Sequence, residues 1–127
     1  MSHVRETAKP GDLRGVRVLV VEDQWHVANA LRSLLEVEGM EVSGPAGKTA
    51  DAHRLAEEHK PEVAVVDVNL KGEMAYSLID ELHDRGVRVV VISGYAVLPR
   101  LSAKVAAVLQ KPFNGPDLLA SLRRALY

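Results

Sequence analysis

The chain has 127 residues, a length that suits one domain able to bury roughly two thirds of the surface its unfolded form exposes. Its 16 Lys plus Arg against 17 Asp plus Glu leave a formal charge of −1, which excludes the basic field that direct nucleic-acid binding draws on. Cysteine is absent, so disulfides, thiolate metal sites and thiol nucleophiles are excluded as well, and no apolar run approaches the roughly 20 residues of a membrane span.

Residues 1–14 are polar, carry Pro10 and Gly11 and contain no segment resembling a signal peptide. They read as a flexible N-terminal tail ahead of a domain over 15–127, in a cytoplasmic protein. A first strand is expected over 16–21, then a helix whose apolar stripe of Val27, Leu31, Leu34 and Leu35 stops at Gly39. A weaker strand over 41–43 gives way to a loop of Gly44, Pro45 and Gly47. Ala52, Leu55 and Ala56 mark a second helix closed near Pro61. A strand over 63–66 precedes a helix marked by Leu78, Ile79 and Leu82 and stopped by Gly86. After a strand over 87–92, the stretch before Val105 is short and holds Pro99, so a fourth helix there is expected to be short or irregular. A strand over 105–109 and a last helix marked by Leu118, Leu119, Leu122 and Leu126 complete the chain. None of the strands alternates apolar with polar residues, which predicts burial on both faces. Strand and helix alternate throughout, the pattern of an α/β fold with a five-stranded parallel sheet and helices on both faces.

In such a sheet ligands bind outside the carboxyl ends of the strands. The first strand ends in Glu22 and Asp23, the third in Asp67, the fourth in Ser93 and Gly94, and the fifth runs into Lys111 and Pro112. Three carboxylates, a hydroxyl and an ammonium therefore converge on one edge. Crowded carboxylates with a single lysine call for a proton or a cation, and an all-oxygen donor set favours a hard ion such as Mg²⁺ over zinc.

With these residues in this order, the sequence resembles the receiver domains of two-component response regulators over about residues 15 to 127. The resemblance implies a flavodoxin-like doubly wound sheet of order 2-1-3-4-5. It implies that Asp67 accepts a phosphoryl group from a sensor histidine kinase or a histidine phosphotransfer protein. Mg²⁺ would be held by Asp23, Asp67 and the backbone carbonyl of Asn69, with Glu22 acting through water. Lys111 and Ser93 would bind phosphoryl oxygens, and Gly94 would leave the entrance open. Many receivers carry an aromatic switch residue in the fifth strand where this chain has Val108. The run Val91-Ile92-Ser93-Gly94-Tyr95 is similar to the Phe-Ala-Thr-Gly-Tyr motif of a sub-group of stand-alone receivers, so Tyr95 is a candidate replacement and residues 95–104 are expected to order on phosphorylation. A stand-alone receiver of this kind is expected to have no effector domain after Tyr127 and to give its output by docking to another protein. The expected protein is a switch rather than an enzyme, catalysing only its own phosphoryl transfer and autodephosphorylation. Neither nucleic acid nor membrane is an expected partner, and a homodimer through the last two strands is a further expectation.

Other assignments compete. Asp23 could simply cap the following helix. A phosphatase with an aspartyl nucleophile usually places a second Asp two residues on, where this chain has Asn69. A degenerate receiver would serve only as a docking module. Gly47-Lys48-Thr49 looks like the end of a P-loop, but the required preceding Gly is Val42. His3, His26, His53, His59 and His83 show no metal-ligand spacing. Trp25, the sole tryptophan, lies two residues after the acidic pair Glu22 and Asp23 and is placed to report an ion entering the site.

Overall fold

Five valine-rich strands pair in parallel to form the sheet, as described for residues 11–94 and 104–127 of a computed structural model. The elements are β1 (Arg17–Val21), α1 (Trp25–Val37), β2 (Glu41–Ala46), α2 (Thr49–His59), β3 (Val63–Asp67), a short hairpin of β4 (Asn69–Leu70) and β5 (Glu73–Met74), α3 (Tyr76–Asp84), β6 (Arg88–Ser93), β7 (Ala107–Gln110) and α4 (Gly115–Leu126). The sheet order is β2-β1-β3-β6-β7, which is the expected 2-1-3-4-5 once the hairpin is set aside. The expected fourth helix, Tyr95 and nearly all of the segment expected to order on phosphorylation lie outside the described residues.

The missing alternation has a direct cause. Successive side chains of a strand point to opposite faces, and in β1, β3 and β6 both faces are core. The edge strands β2 and β7 keep exposed and half-buried positions, contrary to the burial expected of every strand. Leu19, Val21, Ala64, Val66, Val89 and Val91 pack beneath α2 and α3, while Val18, Val20, Val63, Val65, Val90 and Ile92 pack beneath α1 and α4. Gly39 and Gly86 stop α1 and α3 with φ of 84° and 83°, the left-handed geometry that ends a helix without a Cβ penalty. Asn114 caps α4 by accepting the Asp117 amide at 2.8 Å.

Three further expectations need correction. The loop assigned to Gly44 and Pro45 is part of β2, whose pairing runs from Leu19↔Ser43 to Val21↔Ala46 and so contains a bulge. Gly44 has φ 92°, and a Cβ there would meet the Val20 carbonyl oxygen at 2.7 Å, so glycine alone fits. The bulge carries β2 far enough for the Ala46 carbonyl to accept the Glu22 amide at 2.9 Å. Secondly, the segment after β3 forms the β4–β5 hairpin, which the apolar pattern did not reveal. Thirdly, residues 11–13, counted with the tail above, lie against the body: Leu13 is buried, and Tyr127 Oη donates to the Asp12 carbonyl at 2.6 Å.

Candidate functional site

β1 and β3 are neighbours paired Val21↔Val66, so the residues that follow them emerge side by side at the carboxyl edge. Carboxylate oxygens of Glu22, Asp23 and Asp67 all fall within 4.8 Å of one another. Asp23 is not a helix cap, because Gln24 holds that position in α1. Ser93, buried at the end of β6, accepts the Lys111 amide through its carbonyl at 2.8 Å. The β6–β7 register thereby delivers Lys111 to the acids, ahead of a cis Lys111–Pro112 bond.

Lys111 Nζ donates to Asp67 Oδ2 at 2.9 Å and stands 3.6 Å from Glu22 Oε1. The other Asp67 oxygen, Oδ1, accepts the Asn69 amide at 3.0 Å. Glu22 is buried, with Oε2 accepting the Gln24 amide at 3.2 Å. Its Oε1 accepts no hydrogen bond, since 3.6 Å is beyond hydrogen-bond range. Burial drives the Glu22 carboxyl up to about 7; the Gln24 amide and Lys111 charge oppose this, and the Asp67 charge adds to it. Burial alone would pull the Lys111 ammonium down, but its hydrogen bond to Asp67 and the charges of Asp67 and Glu22 outweigh that and raise it.

An orphaned, buried carboxylate oxygen calls for a proton or a cation. Three hard oxygens this close suit a divalent ion of the Mg²⁺ or Ca²⁺ type, and among the described residues no histidine joins the group. The acids open into a cleft of about 560 Å³ walled by Asp23, Asp67, Asn69, Lys71, Gly94 and Lys111. A Cβ on Gly94 would meet nothing within 4 Å among the described residues. Pro112 is exposed and lines a neighbouring apolar groove of about 450 Å³ between α1 and the β7–α4 connection, which shares Gln24 and Lys111 with the cleft. Trp25 is 74% exposed, its ring edge-on to His26 at 6.3 Å. Val108 lies on the edge strand β7 and is exposed.

Of the residues expected at the site, Glu22, Asp23, Asp67, Lys111, Asn69 and Gly94 are brought together, Ser93 ends the adjoining strand, and Tyr95 falls outside the described residues. Asn69 meets Asp67 through its amide, while its side-chain Oδ1 accepts the Gly72 amide at 2.7 Å and is thus committed to the hairpin. The P-loop assignment fails because Gly44 and Pro45 belong to β2, and Gly47 lies beside Asp23, whose Cα would stand 3.6 Å from a Cβ added at Gly47. Sequence reasoning missed Lys71 and Gly72; the signal was a two-residue turn, weaker as Lys-Gly than as Asn-Gly or Asp-Gly.

Comparisons with known proteins identify the family. The transcriptional regulatory protein PdtaR of Mycobacterium tuberculosis is 30% identical over 115 residues, covering 87% of this chain and 56% of that protein. The chain thus spans about half the length of the curated relatives it matches. The response regulator PhyR of Brucella abortus superposes with a TM-score of 0.80 at 28% identity, over 95% of this chain and 52% of that one. A response regulator of Burkholderia pseudomallei, solved with a phosphorylated aspartic acid, a calcium ion and citrate, gives 0.76 at 31% identity over 84% and 66% of the two chains. A family profile described as the response regulator receiver domain matches residues 18–123, from within β1 to within α4, and the chain belongs to that family.

Proposed function

We propose that the chain is a phosphorylatable switch whose Asp67 takes a phosphoryl group from a histidine kinase or a histidine phosphotransfer protein and which then acts by docking to another protein. The observation that carries the reading is the Lys111 ammonium on Asp67 Oδ2 beside a carboxylate trio that contains an unpaired buried oxygen.

A carboxylate oxygen of Asp67 attacks phosphorus as the bond from phosphorus to the donor imidazole nitrogen breaks, the electron pair leaving with the imidazole. Asp67 is held for this by the Asn69 amide on Oδ1. Lys111 neutralises the resting carboxylate and exchanges Oδ2 for a phosphoryl oxygen as negative charge arrives there. Ser93, at the end of the adjacent strand, supplies a hydroxyl to a second phosphoryl oxygen. Asp23, Asp67, Glu22 and the Asn69 carbonyl would hold a divalent cation. When bound, Mg²⁺ supplies charge neutralisation for the incoming phosphoryl group and the crowded acids. The Burkholderia relative, which carries both a phosphorylated aspartic acid and a divalent ion, supports this arrangement. A repeatedly turning-over phosphatase is disfavoured, because the Asn69 amide side chain cannot exchange a proton and is engaged with Gly72.

A protein donor must cover the rim of the cleft. The apolar groove between α1 and the β7–α4 connection adjoins it and offers contact area for such a donor. The deciding experiment treats wild type and Asp67→Asn with acetyl phosphate and Mg²⁺ and reads intact mass. The wild type is expected to gain one PO₃ unit and the variant none; equal labelling of both, or of neither, overturns the reading.

A further inference from the structure

We propose that Lys71, at the tip of the β4–β5 hairpin, is a specificity-determining residue that draws small dianionic phosphodonors of the acyl phosphate class to Asp67. The inference rests on the reading of Asp67 as phosphoacceptor. The hairpin has a two-residue turn, with Leu70 paired to Glu73 and Lys71 and Gly72 between them. Both turn residues have positive φ, 53° and 86°, the signature of a type I′ turn. Its first central position favours Asn, Asp or Gly, so a lysine is held there in an unfavourable left-handed conformation. Asn69 clamps the turn through the Gly72 amide and simultaneously holds Asp67 through its own amide. One residue thus couples the hairpin to the carboxylate that reacts.

The turn sets Lys71 on the wall of the cleft that contains Asp67. Among the described residues, the charged ones lining that cleft are Asp23, Asp67, Lys71 and Lys111. Lys111 is committed to Asp67 and Glu22, whereas among the described residues Lys71 pairs with none. Its charge faces an approaching anion and offsets the repulsion of the acids, an effect that raises encounter rates and fades with salt. With acetyl phosphate, the bond from phosphorus to the acetyl oxygen breaks as the Asp67 oxygen bonds to phosphorus, and acetate leaves with the electron pair.

The test compares wild type with Lys71→Asn, Lys71→Glu and Lys71→Arg, at saturating Mg²⁺ so that altered ion affinity does not enter. Asn suits the left-handed turn, so the first variant removes charge while keeping the hairpin. Initial rates of Asp67 labelling are measured with acetyl phosphate, a dianion at neutral pH, and with phosphoramidate, which carries less negative charge. Lys71→Asn is expected to slow acetyl phosphate about three- to tenfold, Lys71→Glu further, and Lys71→Arg little, with a smaller loss for phosphoramidate. The differences should shrink at about 1 M salt, where the screening length is roughly 3 Å. One common rate and salt dependence for all four proteins, with Asp67 still labelled, overturns the role of Lys71 and leaves the phosphoacceptor reading standing. Failure of the wild type to label overturns both.

Discussion

At the scale of single residues, Glu22 links the site to pH. Its carboxyl is raised to about 7 in the folded chain against about 4.5 when exposed. Below the lower value both states hold the proton. Between the two, the folded state keeps a proton that the unfolded state has lost, so stability falls as pH rises through this window. The full drop is on the order of 3 kcal/mol. Urea melts in a chelator from pH 4.5 to 8 should show this decline, and Glu22→Gln should flatten it; an unchanged slope in the variant would assign the effect elsewhere. Lys111, raised by Asp67 and Glu22 against the pull of burial, stays charged across the whole range. Gly44 supplies a second test. A Cβ on it would strike the Val20 carbonyl oxygen at 2.7 Å, and the left-handed φ adds strain. Gly44→Ala should therefore cost about 2–4 kcal/mol in a denaturant melt, with weaker ion binding because β2 anchors the Glu22 amide. Glu22, Asp23, Asp67 and Lys111 were legible in the sequence because strand ends converge by rule. The need for Gly44 was not, since a glycine followed by proline reads equally well as a loop.

At the scale of elements, the strands and helices of the sheet followed from composition and stop signals, because β-branched runs buried on both faces and glycines after apolar stripes have few alternative uses. The β4–β5 hairpin escaped. Two residues per strand are too few for periodicity to register, and Lys-Gly is an unusual turn pair. Gly44 and Pro45 escaped as strand for the complementary reason: a bulge uses the residues that mark loops. The groove between α1 and the β7–α4 connection depends on how two distant elements pack, so no local pattern encodes it. Leu34 approaches within 3.4 Å of where a Gly115 Cβ would stand, which closes one end. Ala30 lines this groove, yet is exposed on α1 and outside the core. Ala30→Glu keeps a good helix former there and sets a charge in the apolar groove. It should slow transfer from a phosphorylated histidine phosphotransfer protein at least tenfold, while labelling by acetyl phosphate stays within twofold of wild type. Equal loss with both donors would show that the substitution disturbs the cleft and not the docking.

At the scale of the whole molecule, the two edges of the sheet divide the work. The carboxyl edge gathers acids that repel one another, and the amino edge carries a closure that only the fold reveals. Leu13 is buried in the core beneath α1 and α4, Arg123 Nε donates to the Gly11 carbonyl at 3.0 Å, and Tyr127 Oη donates to the Asp12 carbonyl at 2.6 Å. The sequence read this segment as tail because one leucine beside Pro10 and Gly11 makes no periodic signal, whereas its partners lie at the other end of the chain. Leu13→Ala removes buried methyl groups and should cost about 2–3 kcal/mol. Tyr127→Phe removes one half-exposed hydrogen bond and should cost under about 1 kcal/mol. Both should lower the denaturant midpoint with the m-value nearly unchanged, since the surface exposed on unfolding is almost the same. Neither residue is part of the cleft at the opposite edge, so Mg²⁺ affinity, read from Trp25 fluorescence, should match wild type in conditions where each variant is fully folded. A midpoint that does not move in Leu13→Ala would mean that the segment is not seated in solution. A shifted Mg²⁺ affinity in the folded variant would mean that the two edges are coupled through the strands between them.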